Sequence, residues 1–154
     1  MAGQGNVGTQ HEIELRRLLF DLEPMLVDEV LVFARPKGGG PVDLVLESAF
    51  AVIRETEGTT FVCSPELAQA HSLEYDGVFQ CIKLGVNSPL HAVGLTAAVA
   101  SALSAEGLSA NVIAAFHHDY VLVPLGHGER ALDCLLSLAR STQLPDMEAQ
   151  AGAE

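Results

Sequence analysis

Residues 84–123 read LGVNSPLHAVGLTAAVASALSAEGLSANVIAAFHHDYVLV, and this stretch decides the fold. Its head closes a long apolar strand, residues 77–86, with Val78, Ile82, Leu84 and Val86 on one face. Asn87-Ser88-Pro89 then has the chemistry of a helix start, with Ser88 as cap and Pro89 at the first helical position. The spacing predicts a helix over residues 89–106, and Gly107 ends it in the usual place. A strand over 109–116, a tight turn at His117-His118 and a strand over 119–125 follow. Residues 128–140 then form a helix with Ala131, Leu132, Leu135, Leu136 and Ala139 turned inward. The order is β-α-β-β-α, a split βαβ unit that lacks its fourth strand unless the first half of the chain supplies it.

The first half gives a rougher version of the same order. Thr9 and Glu12 make a capping box that opens a helix with Ile13, Leu15, Leu18, Leu19 and Leu22 along one stripe. Pro24 ends it, and EVLVFAR (residues 29–35) reads as a buried strand. PKGGGP (36–41) is a flexible loop. Residues 48–55 and 59–63 flank Thr56-Glu57-Gly58 as a hairpin, and Ser64-Pro65 opens a short helix to about residue 71. The expected organisation is α+β. Two small units cover residues 9–73 and 74–142, with termini 1–8 and 143–154 disordered, antiparallel sheets and helices on one face. The long strand 77–86 could serve both sheets.

Composition bounds the function. The chain has 154 residues, 49% of them hydrophobic, and its 8 basic against 20 acidic side chains leave a formal charge of −12. Such a surface repels phosphate backbones and anionic lipid, so no nucleic-acid or membrane partner is expected. The N-terminal ten residues lack the charged and apolar regions of a signal peptide, and no apolar run reaches roughly 18 residues, which favours a cytoplasmic setting. Cys63, Cys81 and Cys134 are odd in number, far apart and set among apolar neighbours, as buried reduced thiols are.

Three chemical patterns are weak. Gly3, Gly5 and Gly8 match GxGxxG, but no strand precedes them, so no dinucleotide cofactor is expected. His117, His118 and Asp119, even with His91, lack metal-ligand spacing, because alternate residues of a strand point to opposite faces. A nucleophilic site built from Ser88, His91, His117 and Asp119 is equally unsupported, so catalysis is not expected. The stronger feature is the start of the helix after residue 89. Free backbone N–H groups at residues 90–94 would attract a carboxylate, and Asp119 would take a cation.

These residues resemble bacterial tandem ACT-domain proteins, whose pattern runs roughly SxLxAVGLTAAVSxxLAxxGIxxNVxAxxxHDxxxVP. Ser88, Leu90, residues 92–99 (AVGLTAAV), Leu103, Gly107, Asn111-Val112, His118-Asp119 and Val123-Pro124 fit it. Leu18-Leu19, Pro24, Val32-Phe33 and residues 57–60 (EGTT) fit the opening half. His117-His118-Asp119-Tyr120 departs from the Tyr-His-Asp-His of many relatives, and PKGGGP looks like an inserted loop. The resemblance covers roughly residues 15–140. It implies two tandem ferredoxin-like βαββαβ units, with exchange of a segment between them left open. It also implies a regulatory protein that binds an amino acid at an interface between units, without catalysis, metal or cofactor. A homodimer with units joined side by side and an output through a protein partner follow from the same likeness. The C-terminal unit is also similar to the units of eukaryotic cytosolic arginine sensors. Carried over residue by residue, the ligand-facing positions are Val93, Gly94, Leu95, Asn111, Ala115, Phe116 and Asp119. The alternative is a structural or partner-binding module of the same fold without a ligand.

Overall fold

The structure is a computed structural model that describes residues 5–38 and 43–142. Six strands form one antiparallel sheet in the order β2-β3-β1-β4-β6-β5. The strands are β1 (Pro24–Arg35), β2 (Ala51–Glu55), β3 (Gly58–Cys63), β4 (Glu74–Leu84), β5 (Asn111–Ala114) and β6 (Asp119–Pro124). The helices are α1 (Gly5–Phe20), α2 (Asp43–Ser48), α3 (Pro65–Ala70), α4 (Leu95–Ala105) and α5 (Gly128–Ser141).

The missing fourth strand of the C-terminal half is β1. Its 12 residues run antiparallel to the 11 residues of β4, from Pro24 opposite Leu84 to Arg35 opposite Glu74. β1 is therefore the first strand of the N-terminal unit and the last of the C-terminal one, and β4 has the reciprocal double role. Each unit has the ferredoxin-like strand order, and the pair shares one sheet rather than carrying two. β3 pairs with β1 only at Val32–Ala34, whereas β6 pairs with β4 only at residues 79–83. Two bulges mark the joint. Asp28 and Glu29 loop out of β1, and Gly77 and Val78 out of β4, where the register shifts.

All five helices lie on one face of this sheet. Ile82, Leu84, Val121 and Val123 meet α4 through Leu95, Val99 and Leu103, and α5 through Ala131 and Leu135. Leu19 and Leu22, at the end of α1 and the entry to β1, close the same core. A smaller core joins Val32, Ala34, Phe61 and Cys63 to Val45 of α2 and Ala68 of α3. The opposite face carries Leu31, Val62, Cys81 and Leu122 at its centre. Over them lie Phe33 against Phe79, edge to face at 5.4 Å, and Phe50 against Tyr120 at 4.9 Å.

Several local expectations are corrected. α1 begins at Gly5, so Thr9 and Glu12 lie inside the helix and residues 5–8 belong to it. Gly3 and the expected tail 143–154 lie outside the described residues. β1 begins at Pro24 rather than Glu29, because the bulge at Asp28-Glu29 interrupts its alternation without ending it. α2 takes up part of the expected strand 48–55, which starts at Ala51. Ser64 caps α3 as expected, its Oγ accepting from the Leu67 N–H at 3.2 Å. Gly107, at φ +67°, lets the Leu108 N–H return to the Leu103 carbonyl and stop α4. Arg130 of α5 donates to the Glu106 carbonyl at that same end, where cations are favoured.

The β6–α5 turn hangs on Gln80, whose Oε1 accepts from the Gly126 and Gly128 N–H groups at 2.9 Å each. Gln80→Ala removes both bonds and is expected to lower the unfolding free energy by about 1–3 kcal/mol in urea titration.

Candidate functional site

In the C-terminal unit, β4 ends at Leu84 and the chain does not enter a helix at once. Residues 89–92 make a turn closed by the Ala92 N–H on the Pro89 carbonyl at 2.8 Å. Gly94 then takes φ +97°, and α4 starts at Leu95. The expected helix start at Ser88-Pro89 is thus displaced by six residues. The reason is tertiary: the Ser88 hydroxyl is not free to cap a helix. It donates to Asp119 Oδ2 at 3.2 Å, and both residues are buried, 7% and 8% exposed. This contact ties the exit of β4 to the first residue of β6.

Gly94 is the N-cap of α4, with no side-chain cap bond. The first intrahelical bond is Ala98 N–H to the Gly94 carbonyl at 2.9 Å. The N–H groups of Leu95, Thr96 and Ala97 therefore form the open first turn of the helix. Ser88, Pro89, Leu90, Ala92, Leu95, Thr96, Ala114 and Asp119 line a cleft of about 50 Å³ there. A buried carboxylate and the positive end of a helix thus line the same small cleft.

Of the seven expected ligand-facing residues, Leu95 and Asp119 line this cleft, and Gly94 positions it. Leu95 also belongs to the core, at 3% exposure. Val93 and Phe116 are 60% and 77% exposed, and neither lines the cleft. Ala115 lies in the β5–β6 turn, where its N–H bonds the His118 carbonyl at 3.1 Å. Asn111 is not brought to the site. It pairs with Leu122 on the far face of the sheet, whereas Ala114 pairs with Asp119 on the helix face. The carboxylate-attracting backbone is correspondingly moved from residues 90–94 to 95–97. Ser88 was read as a cap, and its role as the partner of Asp119 had no local signal.

The weaker patterns have plain positions. His118 Nδ1 lies 3.4 Å from the Val86 carbonyl, and His117 stacks edge to face on Phe116 at 4.8 Å. Ser88 meets a carboxylate directly, with no imidazole between them. Among the described residues no three His, Cys, Asp or Glu side chains converge as metal ligands would. Cys63 and Cys81 are buried and Cys134 half-buried, all three free. Burial, with Glu29 nearby, pushes the Cys81 thiol up to about 11, and burial raises the other two. No described helix is long and apolar enough to cross a membrane.

Among the described residues, the N-terminal unit has no counterpart of Asp119. β3 holds the place that β6 holds in the other unit, and it opens with Gly58 where β6 opens with Asp119.

One sheet thus holds two ferredoxin-like units in tandem, with the helices of both on the same face. Two descriptions of the ACT domain match the chain, one over residues 11–80 and one over 78–137. A protein of unknown function from Vibrio cholerae, described as a possible transport protein, is 38% identical, with 84% of this chain and 98% of that one covered at a TM-score of 0.72. The chain belongs to the ACT-domain family and carries two ACT units in tandem. An Agobacterium tumefaciens protein (19% identity, 75% and 87% covered, TM-score 0.62) shares the fold. So does the ligand-free regulatory subunit of aspartate kinase from Thermus thermophilus (11%, 75% and 96%, TM-score 0.53). No curated protein matches. ACT units are typically regulatory modules that bind small molecules and oligomerise.

Gly94 meets Leu15 of α1, since a Cβ there would lie 2.8 Å from Leu15 Cδ2. Gly94→Ala is expected to cost about 1–3 kcal/mol of stability. In a Leu15→Ala background that cost should fall but persist, because the positive φ remains. An equal cost in both backgrounds would show that Leu15 does not press on this turn.

Proposed function

We propose that the chain is a non-catalytic sensor that binds an amino acid or a related zwitterion in its C-terminal unit, residues 74–142, with the N-terminal unit over 9–73. The observation that carries this reading is Asp119. It is a carboxylate 8% exposed that accepts one hydrogen bond among the described residues, from Ser88, and it lines the same cleft as the first turn of α4. A buried carboxylate retains strong demand for a second, charged donor. An ammonium group would meet Asp119, and a carboxylate the N–H groups of Leu95, Thr96 and Ala97. Val93, Ala115 and Phe116 would border the side chain of such a ligand.

The cleft, at about 50 Å³, is far smaller than the 300–1,000 Å³ of ordinary ligand pockets. Leu90, which lines it, is 69% exposed, and Val93 and Phe116, close in sequence to Leu95 and Asp119, are exposed as well. Both facts suit a site that a neighbouring unit or a second copy completes, with the signal leaving through a protein partner or a change of assembly. The same small volume also favours a second reading, a partner-binding module that takes no ligand.

A thermal-shift screen against the common amino acids at millimolar concentration separates the two. A ligand at 100 times its dissociation constant adds about 2.7 kcal/mol. In a domain of this size that raises Tm by several degrees. The sensor reading expects a shift with one amino acid or a related group of them. Asp119→Asn, which keeps the shape and accepts from Ser88, should abolish it. No shift with any of them in the folded protein would leave the partner-binding module.

A further inference from the structure

We propose that the groove beside the bulged stretch of β1 is a docking site for an extended, basic segment of a partner protein, laid along the open edge of that strand. β1 is an inner strand, yet β3 accompanies it only at Val32–Ala34 and leaves for α3 after Cys63. β2 begins at Ala51, opposite Val62, so the whole β2–β3 hairpin stops at that level. Residues 28–31 are left without a neighbouring strand on that side. Among the described residues, no backbone hydrogen bond reaches them from beyond the hairpin. An unpaired strand edge is a template for another chain.

The matching edge of β4 is closed. There β6 pairs over residues 79–83, and beyond its end Leu125 donates to the Val78 carbonyl at 2.8 Å. Gln80 holds the turn that follows. Ser64 stands at the corresponding point of the N-terminal unit, and its hydroxyl caps α3 instead. The open edge is thus a difference between two units otherwise built alike. It coincides with a groove of about 590 Å³ lined by residues 28–31 together with Phe50, Ser64 and Glu66. That volume lies within the ordinary range of ligand pockets, about 300–1,000 Å³.

The charge of the groove is one-sided and names the occupant. Asp28, Glu29 and Glu66 line it, and none of the three is ion-paired among the described residues. Arg35 and Lys37, past the other end of the hairpin pairing, are both held by Glu74. Acidic residues on a strand edge repel a like edge. A second copy of this chain would bring the same carboxylates against these, whereas a segment carrying Lys or Arg is matched. Residues 28–31 span about 10 Å of strand, so the segment engaged is short. Its backbone meets Val30 and Leu31 in continuation of β3, the strand-addition mode of peptide recognition. Its basic side chains meet the carboxylates, and its apolar ones Leu31 and Phe50. The protein partner invoked above thereby gains a place and a chemistry, and the groove acts whether or not an amino acid binds.

Fluorescence anisotropy of a labelled octapeptide that alternates valine with lysine or arginine, titrated with the full chain, tests this. Saturable binding below about 1 mM is expected. Replacing the basic residues of the peptide by glutamate should weaken it at least tenfold. Two further versions, N-methylated at one or the other set of alternate residues, each lose one edge, and one of them alone should lose binding. Glu29→Lys and Glu66→Lys should each weaken binding about fivefold or more. Asp133→Lys, an equal charge change on α5, should not. Circular dichroism checks folding, and Glu29→Gln and Glu66→Gln should act in the same direction if a lysine variant does not fold. In NMR spectra the amides of Val30 and Leu31 should shift with the peptide. No saturable binding overturns the proposal. So does binding that both N-methylated versions retain, or that Asp133→Lys weakens as much as the groove variants do, either of which would reduce it to charge attraction. Shifts confined to residues outside the groove overturn it as well.

Discussion

The pairing of β1 with β4 is the constraint on which the rest depends. Neither strand belongs to one unit. The C-terminal unit without β1 has three strands and an open side where Leu26 should meet Ile82. The N-terminal unit without β4 loses Val78, which packs against its core. A lone half would expose unpaired strand edges and part of its apolar core. The two units are therefore joined by covalent continuity along the strands and by a ladder of hydrogen bonds between them. The bulges at Asp28-Glu29 and Gly77-Val78 let the sheet change direction at the joint without breaking it.

This arrangement bears on how a regulatory module can transmit a signal. The exit of β4 carries Ser88, and β6, hydrogen-bonded along β4, begins at Asp119. A change at the cleft pulls on the end of a strand whose other end lies in the N-terminal unit. α1 adds a second route, since Leu15 rests on the Gly94 turn and α1 also packs against α5. Such coupling needs a rigid element with two arrangements, and the shared strands supply the rigid part.

Much of the architecture was legible because it is written locally. Ser64-Pro65, Gly107 and the apolar spacing of α5 each specify an element end or face with neighbouring residues. The site was harder to read. Ser88-Pro89 has the residue types of a helix cap, yet the hydroxyl is taken by a carboxylate 31 positions away, and the helix yields six residues. No window of sequence contains that contact. Asn111 lies away from the cleft for a related reason: the face it occupies depends on its register against Leu122, and register is a property of the pair. α2 escaped notice because it is six residues long and follows a glycine-rich loop.

Native-state hydrogen exchange at increasing denaturant tests the shared-strand account most directly. The amides of Val32 and Ala34, in the half of β1 that pairs with β3, and of Cys81 and Ile82, in the half of β4 that pairs with β6, should converge on one opening free energy. That value should equal the global unfolding free energy. Two separate plateaus, with Cys81 and Ile82 protected after Val32 and Ala34 have opened, would contradict it and show two units that merely touch.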